Sequence, residues 1–459
     1  MTGLDVIQDE AIHIMMHHRI KPYLLLLWLL LAAQHVASQT LPRIDIDSLS
    51  GTISEETPVD ATFTISYLDS ATNALHQETY ACRVNHRGAT SMLYDKKSLE
   101  VAFIEAGTGD DLEVNLLGIR EGLDKYILDA TASDRSHLRN RVAMDLFGRY
   151  ARLPYATDYD GRYSTVGRFV EVWIGGEYEG LFCLSDRMNR KLIGCKKPQN
   201  GVVRGVLYKC GSYGDGAFLI SDGTAPDTNS TEWNSWSMKY PNEVSAAAWQ
   251  PLQQLMDAPW DEVSDSDYVG LVEEHFYWDN LVDVYLFTIA LAIGDMGYKN
   301  CYLACPNSAA DSHFVVVLWD LDHSFGSTWN AAYMNTPVTL RGQSNLWRVH
   351  PYKRLMEDEG TGFKAALAER WYELRDSVLS VENVTAVIQG YASLLDSTQG
   401  WQHDRAKWDG NPIAFYPSAQ QEAAYMIAWY SRAHQCLSEL LAPYLPAPTH
   451  QSQSKQKKQ

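Results

Sequence analysis

The chain has 459 residues, 38 Lys and Arg against 57 Asp and Glu, and a formal net charge of −19. Hydrophobic residues make up 46% and charged residues 21%, a globular composition that excludes disordered, collagen-like and coiled-coil chains. The acidic balance argues against sequence-independent nucleic-acid binding, which needs Lys and Arg to neutralise phosphates.

Residues 23–33, YLLLLWLLLAA, are an uninterrupted apolar run. At about 1.5 Å per residue it is too short to cross a hydrocarbon core roughly 30 Å thick. His17, His18, Arg19 and Lys21 precede it and Val36-Ala37-Ser38 follows. A basic flank, a short apolar run and small residues read as a secretory signal peptide over 1–38. The expected location is outside the cytoplasm: secreted, periplasmic or at the cell surface. No later run reaches 18 apolar residues, so no transmembrane helix is expected in the mature chain.

Residues 39–60 are polar and read as a lead-in. Residues 62–68 and 98–103 alternate as strands do. Leu138, Val142, Leu146 and Phe147 recur at helical spacing over 136–150, with Ser133 or Asp134 as cap. Residues 168–174, Gly175-Gly176 and 177–184 form a β-hairpin pattern. Residues 202–210 read as a strand and 211–245 as a loop between lobes. Leu281, Val282, Tyr285, Leu286, Ile289 and Ile293 share one helix face ending near Gly294. A short strand at 301–304 and an apolar strand at 313–319 follow, then helices over 363–381 and 419–443. The tail, 446–459, reads as disordered. The whole is α+β: a β-rich N-terminal half and a mostly helical C-terminal half.

Seven cysteines are spread along the chain. An exported protein pairs some of them, and an odd count leaves at least one as a thiol. Cys301 and Cys305 have no second pair and no His cluster beside them, so no zinc site is expected. Asn229 and Asn383 head glycosylation sequons.

The chemistry concentrates between Gly294 and Gly326. A helix end delivers Asp295, five residues before Asn300; a hairpin follows, and its second strand delivers Asp320-Leu321-Asp322. Apolar strands pin the backbone, and Asp and Asn oxygens are hard ligands suited to Mg²⁺ or Mn²⁺. The order matches phosphoryl transfer on a kinase-like scaffold. There an Asp orients the acceptor hydroxyl, an Asn four intervening residues later holds metal, and a hairpin leads to a metal-binding Asp. A rival is the first motif of haloacid-dehalogenase phosphatases, in which Asp320 would be the nucleophile. That fold needs alternating βαβ units, and the residues after Asp322 read as mostly helical.

Arg87, Gly88 and Ser91 form a polar turn of a kind that meets phosphates. Lys97, on the next strand, and Lys209 are candidate phosphate-facing cations, and Asp186 a candidate acidic partner.

These residues resemble the CotH kinase family, named for spore-coat protein kinases. The similarity runs over about residues 80–380. It is carried by Arg87-Gly-Ala-Thr-Ser91, Lys96-Lys97-Ser98, the stretch from Asp134 to Asn140, the hairpin at 169–182 and Leu207-Tyr-Lys209. Asp295 to Asn300, Trp319-Asp-Leu-Asp322 and the stretch from Arg370 to Arg375 complete it. The resemblance implies an atypical, two-lobed, kinase-like domain over 61–445, with lobes at about 61–210 and 246–445. It implies ATP and Mg²⁺ or Mn²⁺ as cofactors and Ser/Thr of a protein substrate, basic and Ser/Thr-rich, as acceptor. By position Asp295 is the catalytic Asp; Asn300, Asp320 and Asp322 are metal ligands; Arg87, Ser91, Lys97, Lys209 and Asp186 are nucleotide contacts. The family usually has Glu where Ser185-Asp186 stands here. Alternatives on the same scaffold are nucleotidyl transfer and a non-catalytic surface or adhesion module.

Overall fold

The computed structural model describes residues 40–446 except 70–71, 152, 156–161, 213, 298, 329–331, 336–337 and 409–417. The expected signal peptide and nearly all of the expected tail lie outside the described residues.

Seven strands close a barrel: β1 (Arg43–Asp47), β2 (Val59–Leu68), β3 (Leu75–Arg87), β4 (Ser98–Ile104), β5 (Lys125–Asp129), β6 (Gly167–Ile174) and β7 (Glu177–Ser185). Their order is β1-β2-β3-β4-β5-β7-β6, and β1 runs parallel to β6 to complete the ring. Alternate side chains fill the interior, among them Ile44, Ile46, Phe63, Ile65, Val84, Val101, Phe103, Val170 and Val172. The lead-in reading of 39–60 is therefore corrected. Ile44 and Ile46 are fully buried, and β1 supplies the one strand that pairs with both β2 and β6. The β6–β7 hairpin turns at Gly175 and Gly176, with φ of 58° and 83°, the left-handed pair a two-residue turn demands.

Between β5 and β6 lies α1 (Arg139–Tyr150), which starts three residues later than the periodicity predicts. The Asp134 carboxylate accepts from the backbone N–H of Arg139 at 2.7 Å and of Ser136 at 3.0 Å. It thus ties the preceding loop to the helix start.

After a single turn, α2 (Arg190–Ile193), a second sheet forms from β8 (Val206–Cys210), β9 (Glu232–Trp233), β10 (Trp236–Tyr240), β11 (Cys301–Cys305) and β12 (Val315–Leu318). Its order is β12-β11-β8-β10-β9. Two expectations change here. The strand ending at Cys210 belongs with the C-terminal hairpin, not with the barrel. The stretch 211–245 contains β9 and β10, whose Trp233 and Trp236 are buried.

The helices are α3 (Ala246–Met256), α4 (Asp265–His275), α5 (Trp278–Ala290), α6 (Tyr352–Glu357), α7 (Phe363–Leu374), α8 (Val381–Ser397), α9 (Gly400–Lys407) and α10 (Ala419–Leu441). Every residue of α5 from Asn280 to Ala290 is buried. The Asn280 amide bonds both N–H and C=O of Val316, at 2.7 and 3.0 Å, so the helix that leads to Asp295 is locked to the strand that leads to Asp320. Helix α9 packs against β7 of the barrel, where Trp408 donates to the Glu179 carbonyl at 2.9 Å. The protein is of the α+β class. Among the described residues no helix is long and apolar enough to cross a membrane.

Candidate functional site

A cleft of about 970 Å³ is lined by Arg87 and Asp129 from the barrel strands, by Ser91 and Lys96 from the β3–β4 connection, and by Lys209, Asp295, Lys299, Asn300, Asp320, Asp322 and His323 from the rest. Its position follows from local backbone constraints. After α5 the chain turns through Ala292, at φ 49°. Gly297, at φ 97°, lies so close to the next segment that a Cβ there would stand 2.7 Å from the Leu346 nitrogen. Asn345 donates to the Met296 carbonyl at 3.0 Å. Asp295 is thereby pinned at the cleft wall.

The Asn300 amide donates to Asp295 at 3.2 Å, and the Lys299 ammonium stands 3.2 Å from the same carboxylate. The Trp319 N–H donates to the Asn300 carbonyl at 3.0 Å, which brings Asn300 and Asp320 to the same end of the β11–β12 hairpin. Both sit in left-handed backbone, at φ 59° and 60°, a conformation that costs a non-glycine residue about 1 kcal/mol.

The stretch from Asp134 to Asn140 acts as a clamp on the acidic loop. The Asn140 side-chain Oδ1 accepts from Leu321 N–H at 3.1 Å, and its Nδ2 donates to Asp129 at 3.3 Å. Arg139, fully buried and paired to Asp134 at 2.6 Å, donates to the Ser324 carbonyl at 3.1 Å. Ser133 donates to Asp322 Oδ2. Asp322 Oδ1 is buried and, among the described residues, has no hydrogen-bond donor; the His323 Nε2 is 3.4 Å away.

Electrostatics mark the same place. Crowding by the surrounding cleft walls, then the neighbouring Asp129, pushes the Asp320 carboxyl up, although the residue itself is exposed at the cleft mouth. Burial, then Asp320, pushes Asp322 up to about 7. Burial and Arg87 lower the Lys209 ammonium, while Asp320 pulls the other way. Two crowded carboxylates, one buried oxygen without a donor and an amide oxygen from Asn300 are a donor set that suits a hard divalent cation. Among the described residues no three His, Cys, Asp or Glu side chains form a ready cage, so the set is two carboxylates and an amide.

The nominated phosphate contacts divide. Arg87, Ser91 and Lys209 line the cleft. Arg87 lies 5.9 Å from the Trp319 ring centre and Lys209 5.9 Å from that of Tyr302. Gly88, at φ 149°, permits the tight turn, for a Cβ there would fall 2.2 Å from Ser91 Oγ. Lys97 does not reach the cleft; its ammonium donates to the carbonyls of Met92, at 3.0 Å, and Tyr94. Asp186 is also misplaced as a lysine partner. It is buried away from the cleft, accepts from Val166 N–H at 2.8 Å and faces Arg120 at 3.7 Å.

The buried lysine–carboxylate pair is instead Lys96 with Asp404, 2.5 Å apart and 4% and 5% exposed. Asp404 also accepts from Leu181 N–H at 2.8 Å and stands 3.3 Å from His137 Nε2. Asn140 lies within, and His323 directly follows, stretches that carry the family resemblance, though neither is read from them as a site residue, and Lys96 stands in the Lys-Lys doublet. Asp129, Ser133 and Asp404 carry no short-range motif that marks them as site residues.

The fold and the cleft thus define an α+β protein that gathers acidic, amide and cationic groups at the mouth of a clamped hairpin. A family model described as CotH kinase protein matches residues 84–437, and the chain belongs to the CotH kinase family. No curated protein matches the chain.

Proposed function

We propose that the protein is a metal-dependent kinase that transfers the γ-phosphoryl group of ATP to Ser or Thr hydroxyls of a protein substrate. The barrel and α1 would be the N-terminal lobe and the helical remainder the C-terminal lobe. The observation that carries the reading is the Asp295–Asn300 pair held beside Asp320-Leu321-Asp322 by one hairpin, in a chain of this family.

Asn300, Asp320 and Asp322 would hold Mg²⁺ or Mn²⁺, which supplies charge neutralisation to the bound phosphates. Arg87, Lys209 and the Ser91 turn face the space where those phosphates would lie. Asp295 orients the acceptor hydroxyl and takes its proton; Lys299, 3.2 Å away, holds that carboxylate in place. Phosphoryl transfer asks for alignment and charge balance more than covalent help, so these few groups suffice. The overall charge of −19 favours a cationic, Ser/Thr-rich acceptor. Export through residues 1–38 belongs to the same proposal and places that acceptor outside the cytoplasm.

The test is incubation with γ-labelled and, separately, α-labelled ATP, Mg²⁺ or Mn²⁺, and a basic Ser/Thr-rich protein. The γ label should transfer with the wild-type chain and not with Asp295→Asn. Transfer of the α label would replace the kinase reading with nucleotidyl transfer. Full turnover by Asp295→Asn would remove Asp295 from the mechanism.

A further inference from the structure

We propose that Cys210 and Cys301 form a dithiol site beneath the cleft that closes to an intramolecular disulfide. All seven cysteines are thiols in this structure, but these two are placed for bonding. Strands β8 and β11 are antiparallel, with Tyr302 opposite Lys209 and Leu303 opposite Tyr208. The next step of that register sets Cys301 opposite Cys210, the last and first residues of their strands. Directly opposed residues project to one face, with Cα atoms about 4.5–5.5 Å apart. A disulfide accepts roughly 4.4–6.8 Å. The Cys301 thiol is near enough to be the largest influence raising the Cys210 thiol, ahead of burial.

The neighbours give the bond its meaning. Cys210 lines the cleft and follows Lys209; Cys301 follows Asn300. One bond would tie the strand that carries the cleft lysine to the strand that begins at the left-handed Asn300. It would also close a loop of about 91 residues, which limits the freedom of the unfolded chain. The remaining cysteines are placed differently. Cys195 Sγ faces the Val206 carbonyl at 3.7 Å, and Val206 lies opposite Cys305 at the far end of β11.

The oxidant is a small-molecule disulfide such as glutathione disulfide. One cysteine thiolate attacks a sulfur of that disulfide, forms a mixed disulfide and expels one thiolate. The second cysteine attacks the protein sulfur of the mixed bond, forms Cys210–Cys301 and expels the other. The protein loses two electrons, the oxidant gains them as two thiols, and the two protein protons end on those thiols. Cys210 and Cys301 are 0% and 6% exposed in the folded sheet, so exchange belongs to folding, before the sheet closes.

The experiment refolds the reduced full-length chain in a glutathione/glutathione-disulfide buffer, alkylates residual thiols and digests with chymotrypsin. Cleavage after Tyr302 separates Cys301 from Cys305. The expected product is a peptide pair joined through Cys210 and Cys301. In that buffer Cys210→Ser and Cys301→Ser should each melt at least ~5 °C below wild type, and the double variant no lower than either single. In dithiothreitol the gap should close. Alkylation of both cysteines in the oxidised wild-type chain, or a Cys195–Cys305 link alone, would overturn the proposal. Neither readout depends on ATP or turnover, so it stands or falls separately from the kinase reading.

Discussion

The Lys96–Asp404 pair offers a quantitative test of how the barrel is held to the C-terminal helices. Asp404, on α9, accepts from Lys96 on the barrel at 2.5 Å and from Leu181 N–H at 2.8 Å, and both charged groups are almost wholly out of water. Asp404→Asn leaves a buried ammonium without its counter-charge. Removing one member of a buried pair costs about 3–5 kcal/mol. At about 2.1 cal/mol/K per residue, a cooperative unit of roughly 400 residues has an unfolding entropy of about 0.8 kcal/mol/K. The thermal midpoint should therefore fall by about 4–6 °C, read by calorimetry or circular dichroism. Lys96→Met should fall comparably. The double variant Lys96→Met/Asp404→Leu should recover much of the loss, because an apolar pair leaves no buried charge. A shift below ~1 °C for Asp404→Asn, or strict additivity in the double variant, would refute the reasoning. Lys96 would then be solvated, with Asp404 doing no more than capping Leu181.

Asp320→Asn and Asp322→Asn should each weaken Mg²⁺-dependent nucleotide binding at least tenfold, about 1.4 kcal/mol. Titration calorimetry showing unchanged metal dependence in both would sink the ligand assignment. Asn140→Ala removes the amide that holds Leu321 N–H at 3.1 Å; the same titration should show weaker metal-dependent binding, and an unchanged affinity would mean that the acidic loop keeps its shape unaided. Asp186 tests burial elsewhere. Desolvation raises its carboxyl from 3.8 to about 6. A folded pKa above the unfolded one means that the folded chain binds the proton more tightly. The charged side chain therefore penalises folding, fully above pH 6 and not at all below about pH 3.8, by at most about 3 kcal/mol. Asp186→Asn should gain on wild type in urea midpoint as pH rises from 4 to 7. A constant difference across that range would contradict the shift.

Local patterns were the legible ones. The β6–β7 hairpin lies in one stretch with its turn glycines between, and α5 shows its helical period in its own spacing, although the fold buries it all round from Asn280 to Ala290. Asp295, Asn300, Asp320 and Asp322 could be grouped from sequence because a single hairpin connects them. What was missed depends on distance along the chain or on one step of register. β1 has only Ile44 and Ile46 as its apolar signal, and one of its partners, β6, is more than a hundred residues downstream. The choice between Lys96 and Lys97 turns on which side of the chain faces the cleft. The residue after them is the first of β4, and nothing before it alternates.

The sequence by itself therefore determined the class of fold, the family and the acidic hairpin, because each rests on contacts between residues near one another in the chain. The tertiary structure alone decided that β1 closes the barrel, that the strand at Cys210 joins the C-terminal sheet and that Lys96 pairs with Asp404, 308 positions away. The stability of such a pair comes from excluding water around both charges, and exclusion is a property of the packed whole that no local pattern encodes.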